Sequence, residues 1–234
     1  MRLDKYLAHA GIGTRKEVKL LIRKKHICVN GEICTKDDTH IDENHDQITF
    51  DGEDISYESV VYLMLYKPAG VISATIDDMH ATVFDCIDAL LPTDCFPVGR
   101  LDIDTEGLLL ITNDGKLAHD LLSPKKHVMK TYYVEAQEPL TQEDLNLLES
   151  GTIVLDDEVL QPAKAERIDD THIHLSIQEG KYHQVKRMFH AVHNEVVYLK
   201  RITMGPLSLD EQLALGEWRY LSDEEVAMLK EKSH

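Results

Sequence analysis

The chain has 234 residues, of which 43% are hydrophobic and 29% charged, as in an ordinary soluble globular protein. That length allows one large core, or a catalytic domain with a small appendage. No apolar run is long enough to cross a bilayer, and the first residues have no apolar segment of signal-peptide length, so we expect a cytoplasmic protein. The cysteines lack CxxC spacing, which predicts free thiols.

The net charge of −17 argues against a nucleic-acid partner, but the charge is unevenly distributed. Residues 27–58 hold a single lysine among acidic side chains, whereas residues 1–26 contain two acids and a basic group made of Arg2, Lys5, Arg15, Lys16, Lys19, Arg23, Lys24 and Lys25. A polyanion responds to the local field more than to the net charge. The amino-terminal segment is therefore a candidate RNA-binding surface, with a solvated lysine face as the alternative.

Two helices and a hairpin are predicted at the amino terminus. Leu3, Leu7 and Ala10 form one helical stripe that ends at glycines, and Thr14 with Glu17 forms a capping box that opens a second helix. That helix directs Val18, Leu21 and Ile22 inward and places basic side chains on another face. Two short strand-like runs then flank the Asn30-Gly31 turn.

The stretches Leu3-Asp4-Lys5-Tyr6-Leu7, Gly13-Thr14-Arg15-Lys16-Glu17 and Val29-Asn30-Gly31 resemble the alpha-L RNA-binding module of ribosomal proteins and RNA-modifying enzymes. The resemblance covers residues 1–45. It implies that the phosphate contacts are made by Arg15, Lys16, Lys19 and Arg23. Residues 46–59 are polar and acidic, and we interpret them as a linker, with a last strand of the module as the alternative.

The second domain, residues 60–234, mixes strands and helices without a regular βαβ period. Apolar or alternating runs predict strands at 60–66, 108–111, 130–135 and 171–177. Helical patterns and caps predict helices at 142–149, 181–193 and 223–231, the last opened by Ser222 with Glu225. The pattern favours an α+β fold with a largely antiparallel mixed sheet and flanking helices.

The most informative stretch extends from Gly99 to Gly115, where a loop rich in glycine and aspartate leads directly into a buried strand. An acid at such a junction is held on a rigid scaffold and can still face a cleft. A structural turn, in which the aspartates cap backbone amides, would produce the same composition. The residues alone leave both interpretations open.

This stretch, with its Gly99-Arg100-Leu101-Asp102 form, resembles the signature of pseudouridine synthases, in the RsuA-type branch, which is named for a synthase of small-subunit ribosomal RNA. The similarity continues through Lys67-Pro68-Ala69-Gly70, Lys130-Thr131-Tyr132-Tyr133-Val134 and the segment from Glu179 to Met188. It implies conversion of a uridine, of the position-516 type in 16S RNA, to pseudouridine without a cofactor or metal. The substrate would be naked RNA or an assembling subunit, and the enzyme is expected to be a monomer.

The resemblance also implies roles for single residues. Asp102 acts on the glycosidic bond, Tyr132 stacks on the uracil and accepts a ring proton, and Lys186 pairs with the aspartate. Arg100 keeps the neighbourhood of the extruded nucleotide open, and Arg187 contacts the RNA backbone or serves a structural role. Strand alternation places Tyr133 on the opposite face, as a core candidate.

Alternative functions remain at this point. His183, His190 and His193 share a helical spacing, but zinc would need further ligands. A glycosidase or a metal-dependent RNA hydrolase would need a second acid, for which only Asp104 is near. A synthase of the same branch acting on large-subunit RNA shares these motifs, and a non-catalytic ribosome-assembly factor could use the same fold.

Overall fold

The computed structural model describes residues 1–43, 45–55, 60–89 and 91–232. Its chain forms two compact units. The first contains Met1–Val61 with Asp88–Phe96, and the second contains Tyr62–Ile87 with Pro97–His234. Among the described residues, no helix has both the length and the apolar character needed to span a bilayer.

The first unit begins with helices α1 (Leu3–His9) and α2 (Arg15–Arg23). The predicted capping box is present: Thr14 accepts a hydrogen bond from the backbone of Glu17, whose carboxylate accepts one from the backbone of Thr14. The apolar stripes of the two helices, including fully buried Leu3, Leu7, Val18 and Ile22, form one core. The basic side chains of α2 therefore lie away from this core.

The sheet of the first unit has the order β2-β1-β3-β4, with β1 (Ile27–Val29), β2 (Glu32–Ile33), β3 (Ile48–Phe50) and β4 (Glu53–Asp54). The predicted hairpin is confirmed. Val29 pairs with Glu32 across a two-residue turn, in which Asn30 and Gly31 have φ values of 52° and 82°. Positive φ at both positions is what a type I′ turn requires, and it matches the twist of the strands.

The segment interpreted as a linker, residues 46–59, contains β3 and β4. Its described part, residues 46–55, follows the alternative interpretation of further strands in the module. Ile48 is only 2% exposed and belongs to the core of the first unit, which explains why the segment pairs with β1. The acidic composition of the segment hid its strand character, because only one face of these short strands is apolar. Residues 56–59 lie outside the described residues.

The second unit contains strands β5 (Tyr62–Lys67), β7 (Glu106–Thr112), β8 (Lys130–Ala136), β11 (Lys164–Arg167), β12 (His172–Ile177), β13 (Val196–Met204), β14 (Leu207–Ser208) and β15 (Trp218–Tyr220). Its sheet runs β11-β12-β8-β13-β7-β5-β15, and β14 pairs with β13. Along this path β13 and β7 are parallel and the other pairs antiparallel. The predicted α+β fold with a largely antiparallel sheet is confirmed.

Helices α3 (Gly115–Leu122), α4 (Gln142–Glu149), α5 (Gln184–Ala191) and α6 (Asp223–Lys232) flank the strands, and the remaining strands are β6 (Phe96–Pro97), β9 (Val154–Leu155) and β10 (Glu158–Val159). α4 and α6 lie close to their predicted positions. α5 is shorter than the predicted 181–193, because His183 has a left-handed φ of 48° that excludes it from the helix. Neither α3 nor β13 was predicted, although β13 lies in the centre of the sheet.

Candidate active site

The predicted catalytic loop lies at the start of β7, in the centre of the sheet. Leu108 to Ile111 are fully buried, and Asp102 lies in the loop that leads into them, with a side chain 25% exposed. A short polar loop attached to a buried strand can hold a carboxylate rigidly while leaving it accessible. The structure therefore gives Asp102 the placement that its sequence context suggested.

Lys67, the last residue of β5, is hydrogen-bonded to this loop. Its side chain is fully buried, and its Nζ donates hydrogen bonds to the carbonyl oxygens of Asp102 at 3.0 Å, Thr105 at 2.8 Å and Pro68 at 3.0 Å. Burial lowers the pKa of Lys67 to about 8, although nearby aspartates act in the opposite direction. The sequence marked this lysine only as part of a Lys-Pro motif. Its position immediately after a buried strand was the signal that could have indicated a role.

The carboxylate of Asp102 faces two side chains from the start of α5. Lys186 Nζ lies 3.2 Å from one oxygen, and His183 Nε2 lies 3.5 Å from the other. Lys186 also donates a hydrogen bond of 2.6 Å to Asp104. Burial alone would lower the Lys186 pKa, but the hydrogen bond to Asp104 and the charge of Asp102 outweigh it and raise that pKa. The ammonium group is therefore held charged beside Asp102.

Arg187, adjacent to Lys186, points elsewhere because neighbouring helical residues differ in direction by about 100°. Its guanidinium makes two 2.8 Å hydrogen bonds to the carboxylate of Asp156. Buried Val185 and Met188 fix the rotation of α5 against the sheet. The structure thus brings Lys186, and not Arg187, to Asp102.

The two tyrosines of β8 lie on opposite faces of the sheet, as strand alternation predicts. Tyr132 is 7% exposed and lines the cleft that contains Asp102. Tyr133 is half-buried and contacts His172, His174 and Tyr198. The prediction that Tyr133 belongs to the core was therefore wrong, because the sheet face it occupies is partly open to solvent.

The cleft is lined by Arg100, Asp102, Thr105, Tyr132, Lys186 and neighbouring residues, all of the second unit. Arg100 is exposed at its rim. Thr105 is 1% exposed, and its hydroxyl has no hydrogen-bond partner among the residues that the structure describes. The arrangement combines a carboxylate, a cation and an aromatic ring in one small polar cleft. Such a set can bind a planar base and act on the bond that attaches it to a sugar.

The four predicted phosphate contacts lie on α2 in the first unit. Arg15 and Lys16 are exposed, whereas Lys19 and Arg23 lie 3.4 Å and 3.8 Å from the carboxylate of Asp37. A phosphate contact by Lys19 or Arg23, as predicted, would therefore require the side chain to leave this carboxylate. Arg15 and Lys16 have no such contact to give up in the part of the chain that is described.

A metal-binding arrangement is not found in the described residues, because they contain no group of three or more His, Cys, Asp and Glu side chains that could hold an ion. His190 and His193 are exposed, and His183 faces Asp102. The free cysteines Cys28, Cys34, Cys86 and Cys95 form no cluster of this kind.

A basic helix-and-hairpin module together with an α+β domain carrying a carboxylate–lysine pair defines a class of RNA-modifying enzymes. Comparison with known families specifies the class. Residues 61–191 match the RNA pseudouridylate synthase family, and residues 1–46 match the S4 domain. The first match covers more than half of the chain, which therefore belongs to the RNA pseudouridylate synthase family and carries an S4 domain. The sequence-based identification is confirmed.

Relatives match over almost the whole chain. An uncharacterized RNA pseudouridine synthase of Bacillus subtilis (strain 168) is 49% identical over 239 residues, covering 99% of each chain. The ribosomal small subunit pseudouridine synthase A of Escherichia coli (strain K12) is 39% identical over 229 residues, covering 97% of this chain and 99% of the relative. A crystal structure of a pseudouridylate synthase matches with 38% identity and a TM-score of 0.69, covering 98% of this chain and 99% of that one.

Proposed function

We propose that the protein isomerises one uridine of small-subunit ribosomal RNA, of the position-516 type in 16S RNA, to pseudouridine. The observation that carries this proposal is the 3.2 Å contact between Lys186 and Asp102, in a cleft that Tyr132 also lines. The S4 domain supports an RNA substrate. Relatives named as small-subunit synthases, matched over nearly full length, support the choice of subunit.

The reaction breaks the bond between the sugar and a uracil nitrogen and forms a bond from the same sugar carbon to a uracil carbon. The proton on that ring carbon leaves at the end and the released ring nitrogen gains a proton, so the composition is unchanged and no electrons are lost or gained. Asp102 acts at the sugar carbon as the glycosidic bond breaks. Lys186 holds the carboxylate in position. The Tyr132 ring supports the uracil as it turns, and its hydroxyl accepts the ring proton while giving its own to solvent.

The target uridine must leave its stack to reach this cleft, which costs a few kcal/mol. Contacts with the RNA backbone offset that cost. Arg15, Lys16, Lys19 and Arg23 are assigned to phosphates near the S4 domain, and Arg100 to the RNA at the rim of the cleft. Arg187, already paired with Asp156, is assigned a structural contact or a peripheral phosphate.

The substitution Asp102→Asn tests the catalytic assignment, with Asp104→Asn as the matched control. Both remove one negative charge near Lys186, but the Asp104 side chain is 66% exposed. We expect Asp102→Asn to reduce pseudouridine formation by about 1,000-fold or more and RNA affinity by less than about threefold. Asp104→Asn should retain activity within about tenfold of wild type. Activity of Asp102→Asn at the level of Asp104→Asn would disprove the assignment.

Mapping pseudouridine in ribosomal RNA from cells with and without the gene tests the substrate. A single modified position lost from small-subunit RNA supports the proposal, and a position lost from large-subunit RNA replaces it with the other substrate class. Unchanged RNA of both subunits would leave only a binding role. We further propose that the enzyme acts in the cytoplasm as a monomer, which sedimentation of the purified protein would check.

A further inference from the structure

Tyr182 and His183 form a stacked pair beside Asp102 that the proposed chemistry does not use. Their ring centroids are 3.8 Å apart, and the ring planes differ by 17°. His183 Nε2 lies 3.5 Å from the Asp102 carboxylate, whereas Tyr182 is 70% exposed. The pair therefore extends from the catalytic carboxylate outward into solvent.

The backbone of His183 is left-handed. His183 has φ 48° and ψ 35°, in the left-handed backbone region that is uncommon for residues other than glycine. Such conformations cost free energy and are found most often at functional sites. Here the conformation ends the loop before α5, with the ring of His183 between Asp102 and Tyr182.

A purely structural role does not account for Tyr182. With 70% of its surface exposed, the ring gains little from burial, and an unstacked tyrosine would be free to rotate. The stack on His183 instead presents one aromatic face beside the cleft. Exposed aromatic rings in this setting stack on unpaired bases, because every base has a π face.

We infer that Tyr182 is a stacking platform for the base of a nucleotide adjacent to the target uridine, and that His183 positions this platform relative to Asp102. The inference rests on the proposed function, since it assumes that an RNA uridine enters the cleft. Tyr132 supports the target base, and Tyr182 would hold its neighbour unstacked. Stacking explains why the platform needs an aromatic ring and no base-specific hydrogen bond.

A fluorescence experiment tests this with an RNA hairpin whose loop contains a uridine flanked by 2-aminopurine, on the 5′ side in one RNA and on the 3′ side in another. Binding is measured with the full chain carrying Asp102→Asn, so that turnover does not interfere. We expect quenching of 2-aminopurine in one of the two RNAs, and loss of that quenching with Tyr182→Leu. Tyr182→Phe should retain quenching, because it keeps the ring.

Affinity gives a second readout. Tyr182→Leu should weaken binding of the hairpin about 5- to 100-fold, and Tyr182→Phe by less than about threefold. His183→Gly keeps the left-handed backbone without strain and removes the ring that supports Tyr182, so its quenching should also decrease. Equal affinity and quenching in Tyr182→Leu and Tyr182→Phe would overturn the inference. Quenching that depends on Tyr182, together with no loss of pseudouridine from ribosomal RNA in cells without the gene, would instead contradict the proposed function alone.

Discussion

At the scale of single residues, Lys67 joins the end of β5 to the loop that carries Asp102. A fully buried ammonium group is costly unless it is hydrogen-bonded, and Lys67 donates to backbone carbonyls of Asp102, Ile103 and Thr105 in the catalytic loop and to that of Pro68. The loop thus depends on a group whose pKa burial has lowered to about 8. Deprotonation removes one of the three N–H donors.

The rate of pseudouridine formation should therefore decrease as the pH rises through about 8, the pKa of Lys67. Lys186 does not cause this step, because its pKa is raised. The loss of rate cannot be caused by unfolding linked to the titration of Lys67, because that titration changes the free energy of unfolding in the opposite direction. The folded pKa of Lys67 lies below the ordinary lysine value of 10.5, so the unfolded chain binds more protons between the two values and this group's contribution to stability rises there.

Rates and melting temperatures measured from about pH 7 to about pH 10 would check this prediction. Lys130, also buried with a pKa of about 8, contributes to stability with the same sign. Lys67→Met should have a low rate without the step near pH 8. A wild-type rate that stays constant across that range would show that the charge on Lys67 does not support the loop.

At the scale of elements, Gly107 determines how closely β7 approaches β13. It has a φ of +110°, and a Cβ at this position would lie 2.2 Å from the carbonyl oxygen of Arg201 and 2.6 Å from its nitrogen. Arg201 pairs with Gly107 in the parallel ladder. Only glycine allows this approach, because the obstructing atoms belong to the backbone and cannot rotate away.

Gly107→Ala should lower the free energy of unfolding by about 3 kcal/mol or more, from backbone strain and overpacking. Gly115→Ala is the control, because it begins α3 with no atom within 4 Å of the added Cβ. That change should be neutral or stabilise by up to about 1 kcal/mol. Urea unfolding followed by the fluorescence of Trp218, the single tryptophan, measures both. Similar values for the two variants would contradict the close approach of the strands.

At the scale of the whole molecule, a chain with a net charge of −17 must bind a polyanion. Binding therefore depends on the exposed cations next to the RNA, because charges further away are screened over about 8 Å at physiological salt. Arg15 and Lys16 are exposed on α2, and neither forms an ion pair among the described residues.

Replacing Arg15 and Lys16 together by alanine should weaken RNA binding and reduce the slope of log affinity against log salt by about 1.4 to 1.8. Replacing Lys125 and Lys126, which are exposed on a surface turn of the second unit, changes the net charge equally. The slope change in this control should be less than about half of the change in the Arg15 and Lys16 double variant. Binding isotherms at several salt concentrations measure it, and equal losses in the two double variants would show a non-specific charge effect.

Features set by neighbouring residues were determined by the sequence alone. The Thr14–Glu17 capping box, the Asn30-Gly31 hairpin and the buried strand after Asp102 all appear as predicted. Each depends on hydrogen bonds or apolar spacing within a few residues, so local pattern is sufficient. The family motifs also predicted the fold, because several of them occur in the expected order along the chain.

Features that join distant segments were decided only by the tertiary structure. The Lys67 ammonium meets a loop 35 residues further along, and Lys186 lies 3.2 Å from a carboxylate 84 positions earlier in the chain. The sequence could not show the half-exposed face of Tyr133 or the pairing of β3 with β1. Burial and strand pairing depend on which surfaces meet, and a rotation of about 100° in α5 is what separates the contact of Lys186 from that of Arg187.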